Sequence, residues 1–177
     1  MLTARKVEVY ARSSEGLHVL KEMRWGLIPP AYAPAPELYD GSTFHARMET
    51  VHEKPAFRES WRKKWRCLFP MKAFHQKVKT GSDLFGGSVR KGRAAITRAD
   101  GQPLGIAGIY NAIKTTDGLI LSAAMLTREP GPLMAKIHDR EPVVIDPTDF
   151  AAWLDGSDDL DLLTPWADDA FSFKLAA

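Results

Sequence analysis

Residues 133–145 read L-M-A-K-I-H-D-R-E-P-V-V-I and set three different chemistries side by side: His138, Asp139 and Arg140. An imidazole exchanges protons near neutral pH, a carboxylate orients it or takes a proton, and a guanidinium fork fits a carboxylate or a phosphate. Leu133, Met134 and Ile137 form an apolar turn that anchors the group, Pro142 ends any helix, and Val143, Val144 and Ile145 predict a buried strand. The three polar side chains therefore fall at a helix-to-strand junction, a common place for function. Two readings stay open on this stretch alone. One is acid/base chemistry beside an anion clamp; the other is a His ring held by Asp139 next to a solvated Arg140.

The elements that must position this group are mostly strands. Residues 6–11 (K-V-E-V-Y-A) alternate with Val7 and Val9 on one face, and a Ser-Ser-Glu-Gly turn leads to a second strand over residues 17–25, so a hairpin is expected. Residues 26–36 are rich in Pro and Ala and must be irregular. Thr50 and Glu53 have capping-box spacing and predict a helix start. Pro55 suits the first turn of a further helix, with Phe57, Trp61 and Trp65 at i, i+4 and i+8 on one face and Arg58 and Arg62 on another. R-C-L-F-P (66–70) and A-F-H-Q-K-V (73–78) predict two short strands around a tight connection, with His75 and Gln76 facing opposite ways. Residues 80–92 form a glycine-rich excursion without the P-loop pattern. Residues 94–98 and 103–110 flank Asp100-Gly101 and predict a hairpin. Residues 119–126 predict a central strand, 148–154 a short helix stopped by Gly156, and 171–175 a last strand. The sum is a β-rich α+β fold, one domain over residues 1–177 with a few short helices.

Composition narrows the function classes. A chain of 177 residues with 45% hydrophobic residues can bury a real core. The single Cys67 excludes an internal disulfide framework and a cysteine-rich zinc site. The opening M-L-T-A-R-K-V-E-V-Y has no signal-peptide core and no apolar run approaches a membrane span, so a cytoplasmic protein without membrane contact is expected. Net charge is only +2, but residues 54–93 hold 12 Lys/Arg against two acids, and residues 141–177 hold nine acids against one Lys. A basic middle interleaved with aromatics suits a polyanion.

Several stretches together resemble the SOS-response-associated peptidase (SRAP) family, the abasic-site DNA–protein crosslinking proteins. W-G-L-I-P (25–29) matches a family segment, H-A-R-M-E-T (45–50) resembles N-A-R-x-E-T, and K-P-A-F-R (54–58) resembles K-P-x-F-R. R-C-L-F-P with A-F-H-Q (66–76) resembles R-C-L-I-P-A-D-G-F-Y-E, and A-D-G-Q-P-L with A-G-I-Y (99–110) resembles A-D-G-x-P-x-x-x-A-G-L-W. Residues 133–143 resemble A-x-x-x-I-H-x-R-M-P-V. The resemblance implies a compact fold with a basic groove where His138, His45, Gln76, Arg47 and Arg140 converge. His138 would stand for the family histidine that moves protons at an abasic sugar, and Arg47 and Arg140 for arginines that grip phosphates.

Against that pattern His45 replaces an Asn and Gln76 replaces a Glu, and an amide cannot take a proton. Residue two is Leu2 where the family has the cysteine that condenses with the aldehyde, and the chain is expected to be short at its N-terminus relative to the family. Cys67 matches the buried cysteine of R-C-L-I-P instead. The expected function is thus binding of single-stranded or abasic-site DNA in the SOS response, by a monomer, without cofactor or metal and with crosslinking lost. Arg47, Arg140, Arg58 and Arg62 would meet the DNA backbone, with Trp25 and Phe74 as stacking or wedge residues. The alternative keeps an enzyme, an abasic-site processing enzyme or peptidase whose nucleophile is another amine, that of Met1 or a lysine. A metal site on His45 and His138, and a peptidase using His138 and Asp139, stand behind both.

Overall fold

The computed structural model describes residues 5–39, 41–78 and 92–176. In chain order the strands and helices are β1 (Lys6–Arg12), β2 (His18–Trp25), β3 (His45–Arg47), α1 (Arg58–Arg62), β4 (Arg66–Met71), β5 (Phe74–Lys77) and β6 (Arg93–Arg98). They continue with β7 (Leu104–Thr115), β8 (Gly118–Arg128), α2 (Pro132–Ala135), β9 (Glu141–Pro142), β10 (Val144–Ile145), α3 (Phe150–Leu154) and β11 (Phe171–Ala176). This is the β-rich α+β architecture that the periodicities predict. No helix of the described residues is long and apolar enough to cross a membrane.

The pairings of the larger sheet run β7–β4–β1–β2–β8 and return to β7, so the sheet closes on itself as a small barrel. Each of those five strands thereby has a neighbour on both sides, although β1 meets β4 only at Tyr10–Ala11 and β2 meets β8 only at Arg24–Trp25. β8 is shared most widely, with β7 and β9 antiparallel to it and β2 and β3 parallel. All five ring strands feed one buried cluster through Val9, Ala11, Met23, Cys67, Phe69, Ile106, Ala123 and Met125. The alternate residues Leu68, Ala107, Ile109, Ala124 and Leu126 face the other way, against Val51, Phe57, Trp153 and Leu154. A separate three-stranded sheet, β11–β6–β5, lays Phe74 and Ile96 over the first cluster.

Gly108 marks the tightest point of the ring. A Cβ there would stand 2.9 Å from both the Ala124 carbonyl oxygen and the Cys67 sulfur, and closer still to the Phe69 ring. Gly108→Ala is expected to cost about 1–3 kcal/mol by overpacking. A urea-denaturation midpoint equal to that of the parent would contradict this.

Three local expectations fail for identifiable reasons. Residues 94–98 and 103–110 do not pair with each other: β6 belongs to the small sheet and β7 to the barrel. The Asp100-Gly101 turn exists, with Gly101 at φ +76°, but the free edge of β6 is taken by β11, and Ala99 N–H continues that contact to the Ala170 carbonyl. The capping box at Thr50 starts no helix. Residues 48–50 form a 3-10 turn, and Pro55 lacks the N–H that would carry a helix onward. The tryptophan helix is only α1, because Lys64 adopts a left-handed φ of 56° and ends it. Trp61 meets Trp153 while Trp65 stacks on Tyr110 instead.

Candidate functional site

Where the small sheet meets the barrel rim lies a cleft of about 600 Å³. Its walls are Trp25, His45, Arg47, Met71, Ala73, Phe74, His75, Gln76, Arg93, Met125, Thr127, His138, Arg140 and Pro142. Six segments distant in sequence therefore contribute, and among the described lining residues there is no carboxylate. The titratable groups are imidazoles and guanidinium groups.

Each wall is fixed by its own local structure. Trp25 ends β2, and Gly26 at φ +102° turns the chain while its N–H bonds the Ala123 carbonyl at 2.9 Å. The following residues are pinned by Ser122 Oγ accepting from Ile28 N–H (2.9 Å) and Asn111 donating to the Ile28 carbonyl (2.7 Å). Trp25 Nε1–H reaches the Phe44 carbonyl at 3.3 Å, and its ring lies edge-on to Phe44 and His45. On β3 the buried Ala46 alternates with His45 and Arg47, which a parallel register with Met125–Thr127 holds over the cleft. Partial desolvation pushes the His45 imidazole below its ordinary value and so favours its neutral form.

His138 follows α2, whose last turn it closes through its N–H to the Met134 carbonyl at 2.9 Å. Its Nδ1 accepts from the Arg140 N–H at 3.1 Å. The Arg140 carbonyl lies 3.2 Å from the same Nδ1, and the shorter contact with the backbone N–H, which can only donate, favours a neutral ring with its proton on Nε2. Gln76 on β5 donates from Nε2 to the Arg140 carbonyl at 3.5 Å. The Arg140 guanidinium grips Glu49 with both prongs, at 3.0 and 2.7 Å. Glu49 also accepts the Glu129 N–H at 2.8 Å. Partial burial alone would raise the Glu49 carboxyl, but the Arg140 fork and the backbone N–H groups hold it below its ordinary value. These contacts correct one half of the plain alternative drawn from the sequence: Arg140 is ion-paired rather than solvated, and its backbone N–H meets the His138 ring.

The five residues picked out through the family motifs, His45, Arg47, Gln76, His138 and Arg140, are thus brought together. Trp25 lies half-buried in one wall, and Phe74 is buried at 8% exposure within the core cluster. Arg58 and Arg62 are not brought to this cleft; they line a separate depression with His52, Glu59 and Trp61, and Arg62 pairs with Glu59 at 3.0 Å. Arg66 leaves the basic surface altogether, buried against Trp61 with its guanidinium 3.9 Å from the ring centre. Arg93, His75 and Thr127 line the cleft without having been singled out. Nothing in the sequence separates Arg93 from its basic neighbours. Lys79, Asp83, Arg90 and Lys91 of the basic region, the glycine-rich stretch up to residue 91, and Met1 lie outside the described residues.

Cys67 is fully buried, and burial pushes its thiol far above the ordinary range. Among the described residues no group of three or more His, Cys, Asp or Glu could hold a metal ion.

A family model described as SOS response associated peptidase (SRAP) matches residues 2–174. The abasic site processing protein YobE of Bacillus subtilis is 31% identical over 165 residues, spanning 89% of this chain and 71% of that protein. The abasic site processing protein HMCES of Xenopus tropicalis is 28% identical over 169 residues, 88% of this chain and 50% of its own. A crystal structure of a Bordetella bronchiseptica protein superposes with a TM-score of 0.81 at 28% identity, covering 100% of this chain and 86% of that one.

Proposed function

Because the chain belongs to the SOS response associated peptidase (SRAP) family, we propose that its cleft binds single-stranded or abasic-site DNA in the DNA-damage response. The observation that carries this reading is the convergence of three guanidinium groups and three imidazoles in one cleft whose described lining holds no carboxylate. Arg47, Arg93 and the remaining Nη1 hydrogen of Arg140 meet phosphates, while the edge of Trp25 and the two histidines His45 and His138 face the sugar and base. The relatives named for abasic-site processing supply the damaged sugar as the ligand's centre.

The same residues favour binding over covalent capture. Gln76 presents an amide at a position where proton transfer needs an acid, and the buried Cys67 cannot meet an aldehyde. Acid/base work in the cleft falls to the imidazoles of His45 and His138.

The test is a pair of measurements on single-stranded DNA with and without one abasic site. Three phosphate contacts on a single strand give a log–log salt slope of about −2, hence an affinity loss of about 20-fold between 50 and 200 mM salt. Binding indifferent to salt would sink the reading. A covalent band on a denaturing gel would transfer it to an enzyme that uses another amine, and borohydride trapping would then identify that amine.

A further inference from the structure

We propose that Glu49 is a positioning residue for His138, acting through Arg140. Glu49 sits in the 3-10 turn after β3 and is not itself part of the cleft wall. It nevertheless decides how Arg140 lies. Both terminal nitrogens of the guanidinium bond its carboxylate, Thr127 Oγ1 is 3.5 Å from one of them, and the buried Nε has no hydrogen-bond partner. The carboxylate is in turn anchored by the Glu129 N–H at the end of β8. The bidentate pair therefore fixes the side chain of Arg140 to the barrel.

The peptide groups of Arg140 are what the cleft's polar side chains use. Its N–H donates to His138 Nδ1, and its carbonyl accepts from Gln76. That carbonyl also lies 3.2 Å from His138 Nδ1. A neutral ring takes the N–H, and a protonated ring can give its Nδ1 hydrogen to the carbonyl, so one backbone residue serves both protonation states. Holding Arg140 still thereby holds Nε2 of His138 as the nitrogen offered to a ligand. Glu49 supplies the rigidity, and it does so from outside the site.

The importance of His138 to a DNA ligand rests on the function proposed above, but the linkage itself is tested without DNA. In 15N-labelled protein, at a pH above the end of the ring titration seen in the same spectra, long-range 1H–15N correlations report which ring nitrogen carries the hydrogen. The parent should show His138 as a single Nε2–H tautomer. Glu49→Gln should lose that single pattern and show the mixture of a free imidazole, while His18, which bonds Asp155 far from the cleft, keeps its own signals as a folding control. Arg140→Lys, which keeps the charge and loses the fork, should behave like Glu49→Gln, and Glu49→Asp should restore part of the parent pattern. If Glu49→Gln collapses the His18 signals too, Arg140→Lys decides. A single Nε2–H tautomer persisting in a folded variant overturns the proposal. Failure of the parent to bind DNA would instead overturn the function and leave this result untouched.

Discussion

Glu141→Ala is expected to destabilise the fold by about 3–5 kcal/mol, because it strands a buried charge. The side chains of Arg128 and Glu141 are only 6% and 11% exposed and meet at 2.7 Å. The second carboxylate oxygen of Glu141 accepts the Gly131 N–H at 3.0 Å, and Arg128 spends another nitrogen on the Leu163 carbonyl at 2.6 Å. Removing Glu141 leaves the guanidinium buried with its countercharge gone and frees the loop that enters α2. Chemical denaturation should show a lowered midpoint with a similar slope. The double substitution Arg128→Met with Glu141→Leu should recover much of the loss, since an apolar pair has no charge to desolvate. The Leu163 carbonyl, then unpaired, sets what is not recovered. A Glu141→Ala variant as stable as the parent would mean that this pair contributes no net stability.

Arg47→Ala is expected to weaken binding of single-stranded DNA about 10- to 150-fold, the range of one charge-assisted hydrogen bond of about 1.5–3 kcal/mol. Arg47 projects from a strand whose neighbour Ala46 is fully buried, and it makes no ion pair among the described residues. Its guanidinium is therefore available to a phosphate without first leaving a protein partner. The salt slope should also shrink by a little under one. Arg62→Ala serves as the contrast: that side chain is 72% exposed, pairs with Glu59 and lies outside the cleft. Its removal should change affinity by no more than about twofold, as is usual for exposed ion pairs. Equal losses in the two variants would show that a diffuse positive surface, rather than the cleft, holds the DNA.

Local patterns carried the parts of the fold that local physics decides. The β1–β2 hairpin, the long apolar β8, the turn of α2 before His138 and the stop at Gly156 are all written in period and turn chemistry. The separation of β6 from β7 is not, because an Asp-Gly turn looks the same whether the strands beside it pair or part. What divides them is β11, whose claim on the edge of β6 comes from the far end of the chain. The convergence of His45, Gln76 and His138 was legible only through resemblance to family motifs, since no periodicity joins residues so far apart. The Glu49–Arg140 pair, 91 residues apart in sequence, carries no local signal at all.

The small sheet has a consequence for synthesis. Gln76 and Phe74 stand on β5, which among the described residues pairs only with β6, and β6 gains its second neighbour from Phe171–Ala176. A two-stranded ribbon is marginal in water, and the third strand is what makes such a sheet hold. On the ribosome the barrel strands emerge first, and one wall of the cleft waits for residues 171–176 to clear the exit tunnel. Nascent chains arrested before that point should present the barrel with an unfinished cleft, because β6 still lacks its second partner.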